Sequence, residues 1–81
     1  MSLDEYRRII DKYDLEILAL LEKRMMISRE VGKYKAAHKK PVLNVDREKQ
    51  IINKLNAKTD LSRQFIEGVW SVIFDFSKRE Q

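Results

Sequence analysis

The chain has 81 residues, enough for one small domain, and we expect residues 1–81 to form a single domain. Charged residues make up 37% of the sequence and the net charge is +4, which suits long helices with solvated faces. The absence of cysteine excludes disulfide bonds, thiolate metal sites and a thiol nucleophile. No apolar run approaches the roughly 20 residues of a membrane span and no secretory signal precedes the domain, so we expect a cytoplasmic protein with no membrane partner.

The first predicted element is a long helix from Asp4 to His38, with Ser2 as its N-cap. Its only glycine, Gly32, does not interrupt the periodicity, so we expect the helix to continue through it. A stripe with heptad spacing runs along this helix: Arg7, Asp14, Ile17, Leu21, Arg24, Ser28, Val31 and Lys35. The helix would be about 52 Å long, whereas a compact chain of this size is only about 30 Å across. Because its own chain is too small to cover it, we expect it to pack against a second copy.

Two shorter helices are predicted after the long one. The single proline indicates a loop over residues 39–44. A second helix follows over Val45–Ala57, with Asn44 or Asp46 as its cap. Asp60 is expected to cap a third helix, whose apolar residues are spaced by three and four: Leu61, Phe65, Ile66, Val69, Trp70, Ile73 and Phe74. No stretch alternates with period two, so we predict an all-α fold of one long helix and two shorter ones.

Few residues of the sequence could act as nucleophiles or metal ligands. His38 is the only histidine, and at a helix end it is interpreted as a solvated residue. Without a second histidine or a cysteine no metal site is predicted, and the two isolated glycines form no phosphate-binding loop. Acidic residues are scattered among the basic ones, so the net charge gives little support to a nucleic-acid partner. The sequence therefore predicts neither a cofactor nor a metal.

Cations occupy positions of the heptad stripe where a coiled coil would carry leucine. Arg24 and Lys35 are 11 residues apart, so they point the same way, about 16 Å apart, and leave a gap for a small polyanion. Arg7 is about 26 Å from Arg24, too far to serve that gap in its own chain. In an antiparallel pair crossing near residue 18, the partner's Arg7 would lie near residue 29. The alternative, which spacing alone leaves open, is that these cations only pair with acidic residues: Asp14, Glu22 or Glu30.

An ordered set of motifs runs through the whole chain: Arg7, Asp14, Leu20–Arg24, Glu30–Lys33, Lys35, Pro41–Val42, Asp46–Glu48, Ser77 and Gln81. With these spacings, the set resembles the all-helical (AroQ) class of chorismate mutase. The resemblance implies an intertwined helical homodimer with two equivalent sites that convert chorismate to prephenate, an early step towards phenylalanine and tyrosine. This rearrangement is unimolecular and pericyclic, so it needs no nucleophile, metal or cofactor.

The resemblance also implies roles for individual residues. Arg24 and the partner's Arg7 would bind the two carboxylates of the substrate. Lys35 and Gln81 would hydrogen-bond the ether oxygen, on which negative charge grows as the C–O bond breaks. Glu48 would hold the ring hydroxyl, assisted by Lys35. The catalytic effect would therefore come from positioning and electrostatics alone.

The remaining positions complete the expected site. Arg47 and Ser77 would form its polar wall, and Asp14 would pair inside the bundle. Asn44 stands where family members often have aspartate; it can still cap the second helix and offer its backbone to the substrate. Two other functions stay open: an isochorismate-pyruvate lyase, which shares the scaffold and its cations, and a helical dimer without catalytic activity. The presence of Glu48 beside Arg47 favours the mutase.

Overall fold

The computed structural model describes all 81 residues and contains three α-helices and no strand. The helices are α1 (Leu3–Ala37), α2 (Val45–Asn56) and α3 (Arg63–Glu80). This confirms the predicted all-α fold, and α1 runs without a break through Gly32. Both α1 and α2 end one residue before the predicted position. No helix contains a stretch that is long and apolar enough to cross a membrane.

The first two helices begin at side-chain caps. The hydroxyl of Ser2 accepts a hydrogen bond from the backbone N–H of Glu5 at 3.2 Å, as predicted for α1. The side-chain oxygen of Asn44 accepts from the backbone N–H of Arg47 at 3.0 Å. Of the two candidates for the cap of α2, Asn44 is therefore right and Asp46, which lies inside the first turn, is wrong.

The predicted cap of the third helix, Asp60, is wrong. The cap is Ser62, whose hydroxyl accepts from the backbone N–H of Phe65 at 3.1 Å. The hydroxyl of Thr59 accepts from the backbone N–H of Leu61 at 3.1 Å and holds these residues in a turn. Since this turn takes up the residues just after Asp60, the helix starts two residues later than expected.

A tight turn ends α1 and directs the chain towards α2. The backbone N–H groups of Lys39 and Lys40 donate to carbonyls of the last helical turn at 3.4 and 2.8 Å. This is the hydrogen-bond pattern of a Schellman motif, and Lys39, with a φ of 54°, occupies the left-handed position that the motif usually gives to glycine. The turn brings the carbonyl of Val42 within 2.8 Å of the Lys35 ammonium group.

The three helices leave half of α1 uncovered. α3 packs against the C-terminal half of α1 and against α2, whereas every residue from Leu3 to Leu20 is exposed. The molecule measures 55 × 24 × 16 Å, and its radius of gyration of 15.8 Å exceeds the roughly 12 Å of a compact chain of this length. Only two apolar side chains are buried, Ile66 and Ile73. The long helix extends beyond the rest of its own chain, as its length predicts.

Candidate active site

A cavity of about 350 Å³ lies between the C-terminal half of α1, the start of α2 and the end of α3. It is lined by seven of the eight residues that the sequence analysis assigns to the site: Arg24, Lys35, Asn44, Arg47, Glu48, Ser77 and Gln81. These residues come from three separate parts of the sequence. The packing of α3 against the other two helices brings them together, and only Arg7 lies elsewhere.

Lys35 is fixed at the end of the cavity by two hydrogen bonds. Its ammonium group donates to the side-chain oxygen of Gln81 at 2.9 Å and to the carbonyl of Val42 at 2.8 Å. An ammonium group has three protons, so one donor remains for a ligand. The segment after α1 supplies the Val42 carbonyl and the end of α3 supplies the Gln81 side chain.

Arg24 belongs to α1 but is held by residues of α3. Its Nη1 donates to the hydroxyl of Ser77 at 3.3 Å, and Ser77 shares a hydrogen bond with the hydroxyl of Ser28. Both serines are buried. The guanidinium carbon of Arg24 also lies 5.9 Å from the ring centroid of Phe74, within the range of a cation–π contact. The guanidinium is therefore positioned before any ligand arrives.

The cavity carries an excess of positive charge. Four basic side chains line it, Arg24, Lys35, Arg47 and Lys78, against a single acidic side chain, Glu48. Burial lowers the pKa of Arg24 below its ordinary value, and the nearby charge of Arg47 lowers it further. Neither Arg24 nor Lys35 forms an ion pair with a carboxylate of the chain, which argues against the alternative that they only pair with neighbouring acids. The charge excess favours a polyanionic ligand.

A second, larger groove of about 760 Å³ lies between α2 and α3 and shares only Glu48, Phe74 and Lys78 with the cavity. Acidic and basic side chains balance in its wall: Glu48, Glu67 and Asp75 against Lys49, Arg63 and Lys78. Because its charges cancel, this groove has no preference for an anion. The smaller cavity is therefore the better candidate for the site.

The comparison with known families agrees with the contents of the cavity. A family model described as "Chorismate mutase type II" matches residues 6–81. The chain belongs to the chorismate mutase type II family. Members of this family are isomerases that convert chorismate to prephenate, and this is the activity of the chain. A search of curated proteins found no match.

Two residues of this chorismate mutase domain for which partners were expected, Arg7 across an interface and Asp14 inside the bundle, are exposed in the single chain. The side chain of Arg7 is 65% exposed, and its nearest carboxylate is Asp4, 3.9 Å away on the preceding turn of the same helix. Asp14 is exposed as well and forms no ion pair within the chain. The role of Arg7 across an interface and the pairing of Asp14 inside a bundle stay predictions.

Two residues of the cavity were missed by sequence reasoning. Lys78 lines the cavity and pairs with Glu48 at 3.2 Å, while the expected assistance of Lys35 to Glu48 stays a prediction. Ser28 also lines the cavity and bonds to Ser77. Helical spacing could have indicated both, since Lys78 lies three residues before Gln81 and Ser28 is itself a position of the heptad stripe.

Proposed function

We propose that two copies of the chain form an intertwined homodimer in the cytoplasm, with two sites that rearrange chorismate to prephenate. Each site combines the cavity of one chain with the partner's Arg7. The observation that carries the proposal is that seven of the eight expected residues line one cavity with an excess of positive charge. Catalysis would rest on preorganised charge and on the conformation of the bound substrate, without a covalent intermediate.

Exposed apolar side chains support the dimer. Large apolar side chains over the first half of α1 are between 40% and 68% exposed: Leu3, Tyr6, Ile9, Ile10, Tyr13, Leu15, Ile17, Leu18 and Leu20. A second set of exposed apolar side chains lies along α3: Phe65, Val69, Val72 and Phe76. Full burial of one such side chain contributes about 1.5–3 kcal/mol. A second copy that covers some of these side chains would therefore stabilise a chain that buries few apolar side chains of its own.

The length of α1 supports an antiparallel arrangement. Two copies of α1 that cross near residue 18 would place the partner's Arg7 beside residue 29. That position lies between Arg24 and Lys35, the two cations of α1 that line the cavity. The same crossing point falls within the exposed apolar stripe of α1. One arrangement thus satisfies the apolar surface and the site together.

The two arginines would bind the two carboxylates of chorismate. A guanidinium group binds a carboxylate through two parallel hydrogen bonds, which fixes orientation as well as position. Arg24 is already held by Ser77 and Phe74, so it needs little reorganisation to take one carboxylate. With the partner's Arg7 on the other carboxylate, the enolpyruvyl arm is held folded over the ring. Because the rearrangement is unimolecular, this positioning would lower the barrier by holding the arm in the reactive conformation before the reaction begins.

Lys35 and Gln81 would donate to the ether oxygen. Two of the three Lys35 protons are used by protein oxygens, which leaves one for the substrate. The amide of Gln81 accepts from Lys35 through its oxygen, so its nitrogen is free to donate to the same ether oxygen. As the C–O bond breaks, negative charge grows on that oxygen. Each donor placed there in advance is worth about 3–4 kcal/mol.

Glu48 would accept a hydrogen bond from the ring hydroxyl. Its carboxylate is held by Lys78 at 3.2 Å, so it is oriented before the substrate binds. Arg47 and Ser77 complete the polar wall of the cavity. The side-chain oxygen of Asn44 already caps α2, so this residue would act through its backbone.

The test is to incubate the purified protein with chorismate, to follow the loss of its diene absorbance and to identify the product. A parallel reaction contains isochorismate, and sedimentation gives the oligomeric state at the assay concentration. We expect prephenate from a dimer and no pyruvate from isochorismate. Efficient release of pyruvate would assign the cavity to the lyase reaction instead, and full activity from a monomer would refute the shared site.

A further inference from the structure

The contact between α1 and the end of α3 is made by small residues. Ser28 faces Ser77, and one turn further along both helices Gly32 faces Gln81. A Cβ atom added to Gly32 would lie 2.6 Å from the Cα and 2.8 Å from the carbonyl oxygen of Gln81. Both distances are shorter than 3.0 Å, and real Cβ atoms essentially never approach another heavy atom that closely. Gly32 is itself buried, so the Gln81 backbone occupies the space where a side chain would otherwise stand.

The backbone conformation gives no other reason for a glycine at this position. Gly32 lies inside a continuous helix and does not have a positive φ, so any L-residue could adopt its conformation. Glycine is among the least favourable residues in a helix interior. The close approach of Gln81 is the one feature of the structure that requires the absence of a side chain here.

The atoms that approach Gly32 belong to a residue of the proposed site. The side-chain oxygen of Gln81 accepts from the Lys35 ammonium group at 2.9 Å, and Lys35 lies three residues after Gly32 on α1. The backbone N–H of Gln81 donates to the carbonyl of Lys78 at 3.1 Å, just past the last helical residue of α3. The Gln81 amide is therefore positioned by the contact of the Gln81 backbone with Gly32, by one backbone hydrogen bond to Lys78 and by the hydrogen bond from Lys35.

We propose that Gly32 is a positioning residue for the mutase reaction. By leaving room for the Gln81 backbone, it sets the distance between α1 and the end of α3 at which the Gln81 amide meets Lys35. The inference rests on the proposed function, in which these two side chains donate to the ether oxygen. Gly32 itself has no group that could contact the substrate.

The expected effect of Gly32→Ala follows from the geometry. Ordinary contact begins at 3.4 Å, so the new methyl group must push the Gln81 backbone away by about 0.8 Å. A displacement near 1 Å in a catalytic group can cost about 100-fold in rate, so we expect kcat to fall about 10- to 100-fold. KM should change little, because the two arginines that would bind the carboxylates are unaffected. The melting temperature should fall only slightly, because the preference of alanine for the helix offsets part of the cost of displacing the Gln81 backbone.

The matched control is Lys33→Ala, which places alanine one residue further along α1. Its side chain is 75% exposed and pairs only with Glu30 on the helix surface, so kcat, KM and melting temperature should stay at wild-type values. The decisive comparison combines Gly32→Ala with Gln81→Ala. If Gly32 acts through the Gln81 amide, the double variant should have the kcat of Gln81→Ala within about two-fold.

Each other outcome overturns the inference in a recognisable way. A wild-type kcat for Gly32→Ala, or multiplicative losses in the double variant, would mean that Gly32 does not act through Gln81. Loss of folding or of dimerisation in Gly32→Ala would assign the contact to the fold and not to the site. A wild-type kcat for Gln81→Ala would instead refute the role of Gln81 in the proposed function.

Discussion

Mixing two impaired variants, Arg7→Ala and Lys35→Ala, tests whether each site takes Arg7 from the partner chain. Lys35 lines the cavity of its own chain, whereas Arg7 is exposed on the other half of α1, about 26 Å from Arg24 along the helix axis. In a heterodimer of the two variants, one site receives an intact Lys35 and the partner's Arg7. The other site loses both.

The size of the recovery follows from the composition of the mixture. In the proposed site, loss of Lys35 would remove a donor to the ether oxygen and should lower kcat about 10²- to 10³-fold with little change in KM. Loss of Arg7 removes a carboxylate contact and should raise KM as well. Random reassociation of equal amounts gives about one half heterodimers, each with one intact site of two. About a quarter of all sites are then intact, against about 0.1–1% residual activity for Lys35→Ala alone.

The assay is the loss of chorismate absorbance after the two variants have been dissociated in urea, mixed and refolded together. The matched control mixes Arg24→Ala with Lys35→Ala. Both of these residues line the cavity of the same chain, so every site of such a heterodimer lacks one of them and no recovery is expected. If the first mixture is no more active than this control, the cross-subunit role of Arg7 is refuted.

Two further predictions concern the charges of the cavity. Arg24→Gln should lower kcat/KM about 100-fold. Urea unfolding of this variant should give an equal or higher free energy of unfolding, because the change removes a partly buried charge beside Arg47. A clear loss of stability would contradict this reasoning. Lys78→Met should lower kcat/KM about tenfold by releasing the carboxylate of Glu48. Steady-state kinetics with Lys49→Met, an exposed lysine outside the cavity, provide the control, and equal values for both variants would contradict the role of Lys78.

Most of the fold could be predicted from the sequence because periodicity, proline and capping residues determine where the helices begin and end. The heptad spacing that continues to Lys35 and the stop forced by Pro41 predict the C-terminal end of α1 to within one residue. The start of α3 could not be fixed in this way, since Asp60 and Ser62 are both favourable caps. The hydrogen bond from the Leu61 amide to the Thr59 hydroxyl accompanies the later start, and it depends on the geometry of the turn.

The candidate site could be predicted only in part. Arg24 and Lys35 could be assigned to the site from the sequence, because a basic residue on an otherwise apolar helix stripe is unusual. Lys78 could not be assigned in this way, since it is one of 17 basic residues. It gains its partner only when α2 and α3 pack together and bring Glu48 within 3.2 Å. Gly32 is a similar case, because periodicity explains why the helix continues there but only tertiary contact explains why the residue is glycine.

The exposed half of α1 connects the stability of this small chain to its chemistry. A single chain buries only two apolar side chains and leaves its longest apolar stripe in water, so it has little core of its own. The half of the helix that needs covering is also the half that carries Arg7. If the two copies run antiparallel, a partner that covers this stripe must bring its own Arg7 to the cavity at the far end. One association step would then complete the core and the site together, and a dianion in the cavity would be enclosed by two chains of 81 residues each.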